Sequence, residues 1–271
     1  MPPLVIGVAP TGARRTRADH PALPLTVPEI AREAAACREA GAVLLHLHVR
    51  DREGRHTLDP GIYRQAIAAV RREAGPELIV QITTEAVGRF TVAEQMAAVR
   101  AVQPEAVSLA VRELVPDAGA EREAAAFLAE CATRGTLLQY IAYAPGDLER
   151  VHDLAARGVL PDRGASVLFV LGRYAEGQRS RPEDLEPFLA AYRLGAPWFV
   201  CAFGPEEGAC ALAAAARGGH ARVGFENNLL LSDGRPAASN ADLVAQLARG
   251  AAAVRRAVAS HSEALALLAG R

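Results

Sequence analysis

The chain has 271 residues, 51% of them apolar, and a formal charge of −1. That length suits one (β/α)8 barrel. The near-neutral balance gives no electrostatic footprint for nucleic acid or an anionic membrane, and no apolar run reaches the ~20 residues of a membrane span.

The first residues, Met-Pro-Pro-Leu-Val-Ile, lack the basic-then-apolar layout of a secretory signal. They run into a first predicted strand, Leu4–Pro10, followed by a basic, proline-containing loop over 12–24. That loop reads equally as a cover for a barrel mouth and as an oligomer contact. Seven more strands are expected at Val43–Val49, Leu78–Thr84, Ala106–Val111, Leu137–Tyr143, Ser166–Leu171, Trp198–Phe203 and Ala221–Glu226. Their starts recur at about the 30 residues of a βα unit. Helices are expected near 27–40, 60–74, 91–102, 121–134, 147–157, 182–194, 206–217 and 240–258. Thr26-Val-Pro-Glu29, Asp59-Pro60 and Arg181-Pro182-Glu183 have the form of helix starts. Gly41, Gly75, Gly135, Gly158 and Gly195 stand where helix C-caps favour glycine. Eight alternating units with no linker predict one domain, 1–271, folded as a (β/α)8 TIM barrel. The first turn, Pro10-Thr-Gly-Ala-Arg, is not a dinucleotide-binding Gly-rich loop. The four cysteines, Cys37, Cys131, Cys201 and Cys210, form no Cys-x-x-Cys pair, so reduced buried thiols and a cytoplasmic protein are expected.

In a barrel, function collects at the C-terminal ends of the strands. His46 and His48 lie two apart on the second strand, so they share a face. Leu45, Leu47 and Val49 take the other face, toward the helices. Two inward imidazoles need partners, and a metal is one solution. Arg222, Gly224 and Glu226 share the inward face of the eighth strand, which lies one strand away from the second. His46, His48 and Glu226 therefore form a candidate ligand set with an open position. The nitrogen-rich donors suit zinc, with iron(II) or manganese as alternatives. Two other readings of the same residues are two satisfied core histidines, and a Glu226–Arg222 pair without metal. Thr83, Thr84 and Ser108 are hydroxyls at the ends of strands three and four, able to bind a substrate carboxylate, although Thr84 also suits a helix cap. Gly204 and Asn227 stand in the usual phosphate-binding corner. Glu85, Arg112 and Glu113 fall on the rim, and Gly172-Arg173 with Gly177 forms another rim piece. His20 and His56 lie in loops that reach toward the mouth, His152 and His261 lie on helices, and His220 reads as structural.

The segments Gly41-Ala-Val-Leu-Leu-His46-Leu-His48-Val-Arg-Asp51, Thr83-Thr84, Gly218-Gly-His-Ala-Arg222-Val-Gly-Phe-Glu226-Asn-Asn228 and Asn240-Ala-Asp-Leu-Val244 resemble the β-keto acid cleavage enzymes, whose founding member is 3-keto-5-aminohexanoate cleavage enzyme. The resemblance runs nearly end to end. It implies one zinc per chain on His46, His48 and Glu226, with Arg222 in a proton-handling network and Thr83 and Ser108 as carboxylate-binding hydroxyls. It also implies a homo-oligomer, dimer or tetramer, that converts a small β-keto acid and the co-substrate acetyl-CoA into acetoacetate and a new acyl-CoA. The sequence departs from the family pattern at several positions. Asn227 replaces an aspartate, the fifth strand (Leu138-Gln139-Tyr-Ile-Ala-Tyr143) has no acid, Thr84-Glu85-Ala86 replaces Thr-Gly-Gly, and Gly204-Pro205 replaces Gly-Arg. An amide cannot act as a general base, so Glu85 or Glu113 is expected to carry protons instead, with Asn227 beside the site. The alternatives are a metal-dependent lyase or hydrolase that needs no CoA, and a diverged barrel that binds a carboxylate without catalysis.

Overall fold

The computed structural model describes residues 1–161 and 164–270. Eight parallel strands close a barrel: β1 (Ile6–Val8), β2 (Leu44–Leu47), β3 (Ile79–Thr83), β4 (Ala106–Ala110), β5 (Leu137–Ala142), β6 (Ala165–Leu171), β7 (Trp198–Ala202) and β8 (His220–Val223). Each neighbours the next, and β1 pairs with both β2 and β8. The expected fold is therefore the observed one. Outside the barrel run α1 (Val27–Glu39), α2 (Pro60–Ala74), α3 (Val92–Val102), α4 (Glu121–Thr133), α5 (Pro145–Ala156), α6 (Glu186–Ala191), α7 (Glu207–Ala216), α8 (Asn240–Ala253) and α9 (His261–Leu268).

Local chemistry explains the helix starts. Thr91 and Glu94 open α3 with reciprocal bonds: Oγ1 of Thr91 accepts from the Glu94 amide, and Oε2 of Glu94 accepts from the Thr91 amide. Ser239 and Asp242 do the same for α8. At α2, Asp59 Oδ1 accepts from the Ile62 amide 2.9 Å away, and Pro60 supplies the first turn.

Alternation sorts the strand residues. Leu45, Leu47, Val80, Ile82, Val107 and Leu109 pack outward against the helices. Val5, Leu44, Ile79, Ala106, Leu168 and Phe199 fill the barrel, closed below by Ala264 and Leu268 of α9. That ninth helix departs from the single long helix expected over 240–258. The chain turns at Val254–Arg256 and docks α9 under the barrel, where Ser260 and Glu263 cap it.

Strand eight also departs from expectation, ending at Val223 rather than running on to Glu226. Gly224 has φ +139 and passes so close to β1 that a Cβ would meet the Ala9 carbonyl oxygen at 2.5 Å. The Glu226 amide then donates to that same carbonyl, folding the chain over the end of β1. Glu226 thus reaches inward from a turn. Strand two ends at Leu47, before Val49–Arg50 pairs with His56–Thr57 in a small antiparallel ribbon.

Candidate metal centre

The ends of β2 and β8 bring three donor atoms to one point. His46 Nε2 and His48 Nε2 are 3.1 Å apart. Glu226 Oε2 lies 3.2 Å from His48 Nε2 and 3.7 Å from His46 Nε2. All three lie within 4.8 Å of one another. His46 and His48 are buried.

Partners fix each group from behind. The Gln81 side-chain oxygen is 2.8 Å from His46 Nδ1, so Nδ1 carries the hydrogen and Nε2 keeps a bare lone pair. Gln81 is the register partner of His46 on β3. Arg222 Nη2 donates to Glu226 Oε1 at 3.0 Å. Glu226 therefore binds Arg222 with one oxygen and faces the histidines with the other. Oε2 has no hydrogen-bond partner despite its distance from His48. Burial works against charge on Glu226, yet Arg222 and then the imidazoles hold its carboxyl well below the usual range. Burial, then the Arg222 charge, hold the His46 imidazole well below its usual value. A deprotonated carboxylate and a neutral imidazole are the forms that ligate metal. Two imidazole nitrogens and an unsatisfied carboxylate oxygen, converging without hydrogen bonds among them to satisfy Oε2, fit a divalent cation of zinc's preference.

Gly12 closes over this centre. A Cβ there would meet Glu226 Cγ at 2.8 Å, so only glycine lets the loop after β1 lie against the carboxylate. Arg50 pins that loop, donating to the carbonyls of Gly12 at 2.7 Å and Arg15 at 3.0 Å. The basic loop thus covers the mouth over its first turn. Its far end turns away, where His20 bonds the Ala237 carbonyl and packs on Phe225. His56 does reach the centre, its ring 5.1 Å from His48 and its Nε2 bonded to the Glu85 carbonyl. Burial, then His48, keep it neutral, with a pKa lowered to about 3.

A pocket of about 350 Å³ opens in front of the triad. Thr83, Glu85, Tyr143, Arg173 and Arg222 line it with His46 and Glu226. Arg222 is buried, and its Nε and Nη1 have no partner. Ser108 Oγ is buried and free beside Thr83, its neighbour in register. Thr84 faces the other way, its hydroxyl donating to the Ser108 carbonyl, and so ties β3 to β4. Glu113 also turns away, accepting from Gln95 Nε2 at 2.9 Å, while burial raises its pKa. Glu85 is thus the member of the acid pair that lines the pocket. Asn227 is fully buried, its side-chain Oδ1 and Nδ2 both lack partners, and its backbone carbonyl accepts from Arg15. Gly204 lies outside the pocket lining. Its φ of +94 lets the loop over Gln178 and Arg179 pack against it, and its amide donates to the Asn227 carbonyl.

Three site residues went unread in the sequence. Gln81 was signalled by polar alternation with Thr83 on an inward face. Glu207 sits in the first turn of α7, where an acid normally serves the helix dipole. Instead it is buried, accepts from the Gly224 amide at 3.0 Å, and braces the turn that carries Glu226. Burial pushes its pKa up to about 8. Tyr143 packs against Arg112, whose guanidinium lies 3.9 Å from its ring centre.

This geometry has counterparts. The sequence matches the profile of the beta-keto acid cleavage enzymes over residues 3–269. It is 30% identical to the 3-keto-5-aminohexanoate cleavage enzyme of Fusobacterium nucleatum, over 99% of this chain and 98% of that one. It is also 30% identical to the 3-oxoadipate:acetyl-CoA acetyltransferase of Cupriavidus necator, over 98% of this chain and 94% of that one. Among solved structures, the complex of ObcA with oxaloacetate shares the fold, with a TM-score of 0.72 and 16% identity over 92% of this chain and 67% of that one. No helix among the described residues is long and apolar enough to cross a membrane. A profile spanning almost every residue, and relatives aligned from end to end, place this chain in the beta-keto acid cleavage enzyme family.

Proposed function

We propose that the protein transfers an acyl group between a small β-keto acid and acetyl-CoA, giving acetoacetate and a new acyl-CoA, with one zinc on His46, His48 and Glu226. The observation that carries this reading is the convergence of three donor atoms, Glu226 Oε2 among them without a hydrogen bond, at the floor of a pocket. Zinc bound there would supply a Lewis acid for the keto oxygen, offsetting the negative charge that C–C cleavage places on it.

The chain's own residues would do the rest. Gln81 holds the His46 ring in one tautomer. Arg222 fixes Glu226 and keeps Nε and Nη1 free for a substrate oxygen. Thr83 and Ser108 offer hydroxyls for the carboxylate, Ser108 with its oxygen unspent. Glu85 is the ionisable acid of the pocket not tied to the metal set, and it takes the proton-carrying role that Asn227 cannot fill. A cytoplasmic homo-oligomer, dimer or tetramer, belongs to the same reading, and sedimentation of the purified chain checks the assembly.

Elemental analysis beside a turnover screen tests the proposal. About one zinc per chain is expected, together with acyl-CoA formation from a β-keto acid and acetyl-CoA. Product formed equally well without acetyl-CoA would replace the transferase reading with a lyase. A metal-free chain that takes up no zinc would sink both.

A further inference from the structure

A second cavity of about 270 Å³ adjoins the first, sharing Glu85, Arg173, Phe203 and Glu226 as a common wall. Its other residues, Gly12, Ala13, Arg14 and Arg15, come from the loop after β1. Three arginines therefore line it, two from that loop and one from the loop after β6. Among the described residues none of the three is ion-paired there. Arg15 donates to the Asn227 carbonyl. Arg173 lies over aromatic faces, 5.2 Å from Phe203 and 5.7 Å from Tyr174. The opposing acids are Glu85 and Glu226, and Glu226 is already engaged by Arg222. Within the lining three arginines thus face two acids, with Arg15 and Arg173 half-buried and Arg14 exposed, and Asp19 and Glu207 act on Arg15 from outside it. Burial lowers the Arg15 pKa, against the opposing pull of Asp19, Glu207 and Glu226. The wall is also rigid, because Arg50 holds the carbonyls of Gly12 and Arg15.

We propose that this annex is an anion subsite that selects β-keto acids ending in a second carboxylate. The inference rests on the proposed acyl transfer and names its substrate class. Because the annex shares Glu226 with the triad, it lies within reach of the tail of a substrate whose keto group sits at the triad. The phosphates of CoA lie at the end of the long pantetheine arm, too far from the reacting thioester to be its occupant. Guanidinium forks match carboxylates in shape and charge.

The test compares three six-carbon substrates on the zinc-loaded protein: 3-oxoadipate, 3-oxohexanoate and 3-keto-5-aminohexanoate, each with acetyl-CoA. In kcat/KM, 3-oxoadipate should exceed 3-oxohexanoate by about tenfold or more, the weight of one charge-assisted contact. That ratio should collapse in Arg173→Met and shrink in Arg14→Met. Binding of the unreactive pair adipate and hexanoate, by calorimetry, separates this idea from the reaction it rests on. Turnover with no preference for the carboxylate end, or with the ammonium end preferred, overturns the subsite and leaves the reaction standing. No turnover, but adipate bound at least about tenfold more tightly than hexanoate in a way that needs Arg173, upholds the subsite and overturns the reaction. No turnover and no preference for adipate overturns both.

Discussion

At the lower end of the barrel, His220 Nδ1 accepts from the Val5 amide at 3.0 Å, and buried Arg256 donates to the carbonyls of Pro2, Pro3, Ala215 and Gly219. At the mouth, His48 Nδ1, Glu226 Oε2, Ser108 Oγ and two nitrogens of Arg222 are buried without partners. The same residue types stand at both ends. Below, His220 and Arg256 are spent on backbone groups and staple the N-terminus to β8 and the segment after α8, although His261 Nε2 on α9 is also left without a partner. Above, the fold accepts the cost of unsatisfied polar atoms, of order 1–3 kcal/mol each. Such a cost persists where a ligand recovers it.

The sharpest way to break the comparison is to truncate one histidine at the mouth. His46→Ala should leave the barrel folded, since it removes contacts confined to the mouth, to Gln81 and His48, and none that tie strands to helices. Bound zinc should fall from one to near zero per chain, and kcat/KM by about a thousandfold or more, as for loss of a Lewis acid. Retained metal and activity would return both histidines to the core. At the lower end the effect should invert. Arg256→Met strands several carbonyls and should cost about 3 kcal/mol in urea unfolding, with zinc content per folded chain unchanged. A loss of zinc with little loss of stability would contradict the division of labour between the two ends.

The pH response of the lower end is smaller and has a definite sign. Burial, then Arg256, lower the His220 pKa from 6.5 to about 3. The unfolded chain therefore takes up the proton first. The histidine's contribution is complete above pH 6.5 and is lost as the pH falls toward 3. By pH 5 it should have cost about 2 kcal/mol. His220→Asn keeps an acceptor for the Val5 amide but does not titrate, so stability should fall less steeply between pH 6.5 and 5 in the variant. Equal slopes would remove His220 as the source.

How much of this was legible in the sequence follows the range of the interactions. The eight strands, the inward face shared by His46 and His48, and the nearness of the eighth strand to the second depend on strand periodicity and strand order, which the chain states locally. The end of β8 depends on a contact with the Ala9 backbone that only the closed barrel creates, so Gly224 read as room beside Arg222 rather than as the turn itself. Arg14, Arg15 and Arg173 meet across loops separated by more than half the chain, and no spacing rule joins them. Glu207 had the look of a helix-dipole acid, because burial, and not sequence position, decides its role.

Gln81 gives the finest test of the mouth, because its contribution is indirect. It touches the centre through His46 Nδ1, opposite the nitrogen that would ligate. Gln81→Leu keeps the volume and removes the acceptor, so the imidazole can rotate or change tautomer. Zinc affinity, measured by chelator competition, should weaken about tenfold or somewhat more, with kcat per bound zinc changing less. Gln81→Glu restores an acceptor and should recover much of the affinity, because a carboxylate also takes the Nδ1 hydrogen and makes the imidazole a stronger donor. Because leucine already keeps the volume, a residue that only fills space would leave zinc affinity unchanged in Gln81→Leu. Recovery in Gln81→Glu therefore separates a residue that orients the metal ligand from one that fills space, and failure to recover would move Gln81 into the inert part of the core.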